Sequence, residues 1–234
     1  MSEQCLIVLG MHRSGTSCLT GIIEQCGVAL GEVFVENPYN KKGNRESAEI
    51  QALNDDVLGA NGGAWDLPVA VNRWTAEQSN RRDEILDRFR SRSGGWWGFK
   101  DPRTLLTLPF WLEAIGQPRF IATYRHPHRV ALSLRNRNRT PFEESYKLWL
   151  AYNERLVSCI DSFGFEVVDF DLEDSEYLKD VADKLRLLGL KVQTKESFFD
   201  PRLRKQSLES VEDCDLPETV SGIYQKLKAI HAAL

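Results

Sequence analysis

Five cysteines in 234 residues are too few and too irregular to staple a fold. Cys5, Cys18, Cys26, Cys159 and Cys214 are odd in number and show no C-x-x-C spacing, which argues against a disulfide framework and against the common zinc sites. Cys5, Cys18 and Cys26 fall in or beside the first apolar segments, where cysteine acts as a small buried apolar residue. Histidine is scarcer, at four, with no pair at ligand spacing, so no protein-held metal is expected. There is no basic excess: a net charge of -4 excludes general attraction to nucleic acid or to an acidic membrane. There is also no apolar run long enough to cross a bilayer and no leader-peptide pattern at the N-terminus. The expectation is a cytoplasmic protein with no nucleic-acid partner and no membrane span. Oligomeric state is not legible.

With 42% hydrophobic and 27% charged residues, the chain has the composition of a globular protein, and residues 1–234 read as a single domain. Short apolar runs alternate with segments of helical period. Cys5 to Leu9, Trp96 to Lys100, Arg119 to Tyr124 and Phe165 to Phe170 read as buried strands, and Lys191-Val192 as a weak fifth strand or none. Helical spacing covers the stretch after Ser17, Glu46 to Asn61, Thr75 to Ser93, the run to Ile115, the run to about Arg137, Phe142 to Phe163, Leu172 to Leu188, and Glu218 onward. Strands separated by helices predict an α/β fold: a parallel sheet in three layers with helices on both faces, and ligands at the C-terminal ends of its strands. The segment Gly27 to Arg45, dense in turn residues around Lys41-Lys42-Gly43, reads as a surface loop near the mouth of that edge.

The first strand runs into Gly10-Met11-His12-Arg13-Ser14-Gly15-Thr16-Ser17. Glycines let the backbone approach an anion, successive N–H groups converge on it, and the following helix adds partial positive charge. Gly10 and Gly15 have the spacing of a Walker A loop, but Thr16 stands where that loop carries lysine. Arg13 brings a cation instead, and Ser14, Thr16 and Ser17 bring hydroxyls. The pattern fits a phosphate-like anion that is not the γ-phosphate of a magnesium nucleotide. In a parallel sheet, the segments Lys100-Asp101-Pro102-Arg103 and Arg125-His126-Pro127 emerge at the same edge. Arg125 and Ser133 are eight positions apart (133 minus 125), a guanidinium fork and a hydroxyl suited to a second phosphate.

These motifs resemble the sulfotransferases that use 3′-phosphoadenosine-5′-phosphosulfate (PAPS). In that family a strand-turn-helix written [KR]-[ST]-G-T-[ST] holds the 5′-phosphosulfate, matched by Arg13 to Ser17, and Y-R-[DN]-P-x-[DR]-V-x-x-S holds the 3′-phosphate, matched by Tyr124 to Ser133 with His126 in the Asp or Asn position. Phe99 to Arg103 resembles the intervening segment of bacterial members. The resemblance implies a fold like that of P-loop NTPases and transfer of a sulfuryl group from PAPS to an acceptor hydroxyl or amine on a small molecule or glycan, with 3′,5′-ADP as second product and no metal. It implies cofactor contacts from His12, Arg13, Ser14, Gly15, Thr16, Ser17, Arg125 and Ser133, and from Arg202 or Arg204 in a late loop. Arg13 and Lys100 are the implied catalytic cations. Pro102 occupies the slot of the histidine found in cytosolic members, and the resemblance implies as proton acceptor first Glu46, at the place where heparan-type members carry a glutamate, and second Asp101; Glu46 reads equally as a first-turn carboxylate of the helix, and Asp101 as a helix cap or a partner for Arg103. Two rival readings remain: a P-loop kinase or NTPase with a displaced lysine, using Asp169 and Asp171 for magnesium, and a nucleotide-binding protein without catalysis. Arg135, Arg137 and Arg139 read as a solvated basic face or a steering patch.

Overall fold

A computed structural model describes residues 3–36, 41–91, 94–192, 198–203 and 215–233. Four parallel strands form the sheet: β1 (Gln4–Leu9), β2 (Trp96–Lys100), β3 (Arg119–Tyr124) and β4 (Glu166–Asp169). Their spatial order is β2-β1-β3-β4. Val8 pairs with Lys100 and with Ile121, and Tyr124 pairs with Asp169, so the chain leaves all four strands at one edge.

Both faces of the sheet are buried, as the unbroken apolar runs require. Alternate residues enter different cores. Cys5, Ile7, Leu9, Phe120, Ala122, Tyr124 and Val167 face one core, whereas Leu6, Val8, Ile121 and Val168 face the other. The first core is closed by α2 (Ala48–Ala60), α3 (Ala76–Ser91), α4 (Thr104–Ile115), α5 (Pro127–Asn138), α6 (Phe142–Phe163) and α8 (Glu218–Ala233). The second is closed by α1 (Thr16–Gln25) and α7 (Asp174–Leu187). The three-layer α/β architecture is therefore the one expected.

Differences from the expectation are small. β4 is shorter by one residue at each end, and Pro201–Leu203 makes one turn of 3-10 helix; of the two readings of Lys191-Val192, the structure has the one without a strand. Helix ends follow local chemistry. Gly164, with φ 58°, stops α6, and Pro127 opens α5 while the His126 ring accepts a hydrogen bond from the His128 amide. Among the described residues, no helix is long and apolar enough to cross a membrane.

Candidate active site

The turn after β1 is built by its backbone. Gly10 has φ 142°, and a Cβ there would lie 2.5 Å from the Thr123 carbonyl oxygen. At Gly15, with φ 85°, a Cβ would lie 2.2 Å from the Phe170 ring. Arg13 itself takes a left-handed conformation, φ 69°, which costs a non-glycine residue about 1–2 kcal/mol. Thr123 Oγ1 donates to the Ser14 carbonyl at 3.0 Å and fastens the turn to β3. α1 then begins at Thr16, so its first amides, which have no acceptor within the helix, sit at the turn.

Arg13 and Ser133 meet directly: Arg13 Nε donates to Ser133 Oγ at 2.7 Å. Arg125 Nη1 donates to the Arg13 carbonyl at 3.4 Å, and its guanidinium lies 5.3 Å from the centre of the Phe170 ring. All of these residues line one cavity of about 280 Å3, together with Gly15, Thr16 and Ser17. Burial and the nearby Arg137 and Arg125 push the Arg13 guanidinium down to about 10, so it remains charged at neutral pH.

Asp171 holds the second cationic corner. Its carboxylate accepts from Arg125 Nε at 3.3 Å, from Arg129 Nη1 at 2.7 Å and from the His126 amide at 2.7 Å. Asp169 accepts from the Tyr124 hydroxyl at 3.0 Å and from the Asp171 amide at 2.8 Å. Both carboxylates are thus engaged by protein donors, in place of the magnesium-binding role the rival reading gives them.

Lys100, at the end of β2, is 1% exposed. Its ammonium donates to Glu46 Oε1 at 2.7 Å and to Ser17 Oγ at 3.2 Å. The three expected residues, buried Glu46 and Lys100 and half-buried Ser17, therefore form one group beside the turn. Asp101 is fully buried and receives the Arg103 amide at 2.8 Å and the Arg103 guanidinium at 3.1 Å; Arg103 also pairs with Asp55 at 2.6 Å. Burial, opposed by the Arg103 charge, raises the Asp101 carboxyl to about 6. His12 packs its ring edge-on to Trp65 and Tyr152, with centroids 5.0 and 5.8 Å apart. Burial, and then the cations Arg103, Lys100, Arg137 and Arg13, hold its pKa well below the ordinary imidazole range.

Lys41, Lys42 and Arg137 also line the main cavity, although no motif named them. Lys42 donates to the Phe198 carbonyl, and both Lys42 and Arg45 lie over the Phe198 ring at 4.8 Å. The loop after α1 and the late loop therefore meet across the cavity. Arg202 is outside this group: it is exposed and paired with Asp200 at 2.8 Å. Arg204 and Cys214 lie outside the described residues.

The fold is that of solved sulfotransferase structures. The sulfotransferase domain of the Synechococcus PCC 7002 olefin synthase superposes with a TM-score of 0.62 at 14% identity, over 97% of this chain and 96% of that one. A sulfotransferase domain from the curacin biosynthetic pathway gives 0.58 at 11% identity, over 97% and 98%. A sulfotransferase from Alicyclobacillus acidocaldarius gives 0.53 at 17% identity, over 100% and 96%. No family model and no curated protein matches the chain.

Proposed function

We propose that this chain, which carries the sulfotransferase fold, is a PAPS-dependent sulfotransferase, transferring a sulfuryl group to an acceptor hydroxyl or amine and releasing 3′,5′-ADP. One observation carries the reading: the Arg13 turn and the Arg125–Ser133 pair line a single cavity. A nucleotide with anionic groups at both its 5′ and 3′ positions needs two such grips in one crevice, whereas a magnesium nucleotide needs a free carboxylate, and Asp171 is committed to Arg125 and Arg129.

The residues divide the work by position. The turn amides, Arg13 and the hydroxyls of Thr16 and Ser17 orient the 5′ end and oppose the charge that collects there as the sulfur–oxygen bond breaks. Lys100, held by Glu46 and Ser17, adds a cation at the same place. Arg125 and Ser133 fix the 3′-phosphate and so set the line of attack. Glu46, beside Lys100 and at the cavity next to the turn, takes the acceptor proton. A buried, aligned, cation-rich site of this kind supplies most of what sulfuryl transfer shares with phosphoryl transfer.

Thermal denaturation tests the binding half of this reading. A ligand present at 100 times its Kd stabilises the native state by about 2.7 kcal/mol, so 3′,5′-ADP is expected to raise Tm clearly and ATP with magnesium to raise it little. Equal responses would favour a kinase. Transfer of labelled sulfate from PAPS tests the chemistry; binding of 3′,5′-ADP without transfer to any hydroxyl or amine would favour a nucleotide-binding protein.

A further inference from the structure

A second, smaller cavity of about 130 Å3 adjoins the first and shares Arg13, Thr16, Ser17 and Arg137 with it. Glu46 lines it, and the remaining polar walls are His12, Asn44, Gln51 and Arg103. Trp65, Pro102 and Leu134 are its apolar walls. The Tyr152 hydroxyl donates to the Trp65 carbonyl at 2.8 Å and fixes the tryptophan beside the turn. His12 contributes an unusual feature: its Nε2 is buried and, among the described residues, has no hydrogen-bond partner.

Each wall restricts what the cavity holds. An apolar acceptor, a phenol or a long-chain alcohol, would strip water from Asn44 and Gln51 without replacing it, at about 1–3 kcal/mol for each group left unpaired, and would leave the His12 Nε2 unpaired as before. An ammonium would enter a space bordered by Arg13, Arg103 and Arg137 and close to Lys100, with the Glu46 carboxylate already paired to Lys100. A compact compound with several hydroxyls suffers neither penalty. Hydroxyls donate and accept, and so do the side-chain amides of Asn44 and Gln51 and a neutral imidazole. The burial and cationic surroundings of His12 keep its ring neutral, with one donor and one acceptor nitrogen. Trp65 supplies an apolar wall for the C–H face of a ring.

We propose that the acceptor is a sugar-like polyol seated in this second cavity, with His12, Asn44 and Gln51 hydrogen-bonding the hydroxyls that neighbour the one to be sulfated. The inference rests on the sulfotransferase reading above. In the transfer, the acceptor oxygen forms its bond to sulfur as the bond from sulfur to the 5′-phosphate oxygen breaks. The hydroxyl proton passes to Glu46, and 3′,5′-ADP leaves with the electron pair. His12 acts as a positioning residue for the acceptor.

The test uses the full chain with labelled PAPS and four acceptor probes: methyl glucoside, 2-naphthol, 1-decanol and benzylamine. The glucoside is expected to have a kcat/KM at least about tenfold above each of the others, the margin that polar groups left unpaired impose. His12→Asn and Gln51→Ala are each expected to raise the glucoside KM by about five- to tenfold, and Gln51→Ala, which lies outside the phosphate turn, is expected to leave the KM for PAPS within about twofold, a split that a general loss of structure would not give. Gln51 is partly exposed on α2, so its variant keeps the test open if His12→Asn folds poorly. The inference is overturned if the glucoside is not turned over, if any other probe is used as well or better, or if both variants leave the glucoside KM unchanged. Failure of the underlying reading has a different signature, no stabilisation by 3′,5′-ADP and no label on any probe, and it would take this inference with it.

Discussion

Arg13 and Ser133, 120 positions apart in sequence, are joined by a hydrogen bond of 2.7 Å from Nε to Oγ. The bond ties the turn after β1 to α5 and places the side chains expected at the two ends of one nucleotide within a single contact. Ser133→Ala removes the acceptor and one of the two groups proposed for the 3′-phosphate. A hydrogen bond to a charged group is worth about 1.5–3 kcal/mol, so 3′,5′-ADP affinity is expected to fall by roughly tenfold or more, read by titration calorimetry, and loss of the Arg13 bond is expected to lower Tm of the free protein by a few degrees.

Glu46→Gln separates binding from chemistry. Glutamine keeps an oxygen for Lys100 but removes the carboxylate, so kcat is expected to fall by about 100-fold or more. The KM for PAPS should stay within about threefold, because the interaction lost belongs to the reacting acceptor. A variant that turns over at the native rate would move the proton acceptor elsewhere.

Asp171→Asn strikes the support of the second corner. The carboxylate serves Arg125, Arg129 and the His126 amide together, and removing one side of a buried ion pair costs about 3–5 kcal/mol. Asparagine retains part of the hydrogen bonding, so a loss near about 2–3 kcal/mol in urea denaturation is expected, with weaker 3′,5′-ADP binding as Arg125 loses its anchor.

His126 makes stability depend on pH. Burial, with the Arg129, His128 and Lys228 charges and against Asp171, lowers its pKa from 6.5 to about 4. As pH falls below 6.5 the unfolded chain takes up a proton that the folded chain refuses, so the contribution is fully present above 6.5 and is lost on acidification. The loss from pH 6.5 to pH 5 is about 1 kcal/mol once partial solvent access is allowed for. His126→Asn is expected to flatten that slope in denaturant melts at the two pH values, since asparagine can cap α5 without titrating.

Legibility followed sequence distance. β1, the turn and α1 form one continuous signal, and Arg125 with Ser133 lies on one helix and its entrance, so both proposed grips could be named from local sequence alone. Arg137 was readable in principle, because it stands one turn beyond Ser133 and therefore on the same face of α5. Arg135 instead lies over the Phe142 ring at 4.7 Å. The Glu46–Lys100 pair and the approach of Lys42 to Phe198 join segments with no local pattern between them, and only the closed fold shows them. The same holds for Asp171, whose position after β4 reads equally well as a metal ligand or as a partner for arginine until β3 is placed beside it.

Gly15 lies against the Phe170 ring with no room for even a methyl group, and that ring in turn lies beside Arg125. The bare Cα is thus a hinge point between two recognition elements that arise in different halves of the chain. Enlarging it would twist the loop and push the phenyl toward the guanidinium, so damage at residue 15 is expected to register at both ends of the proposed nucleotide site.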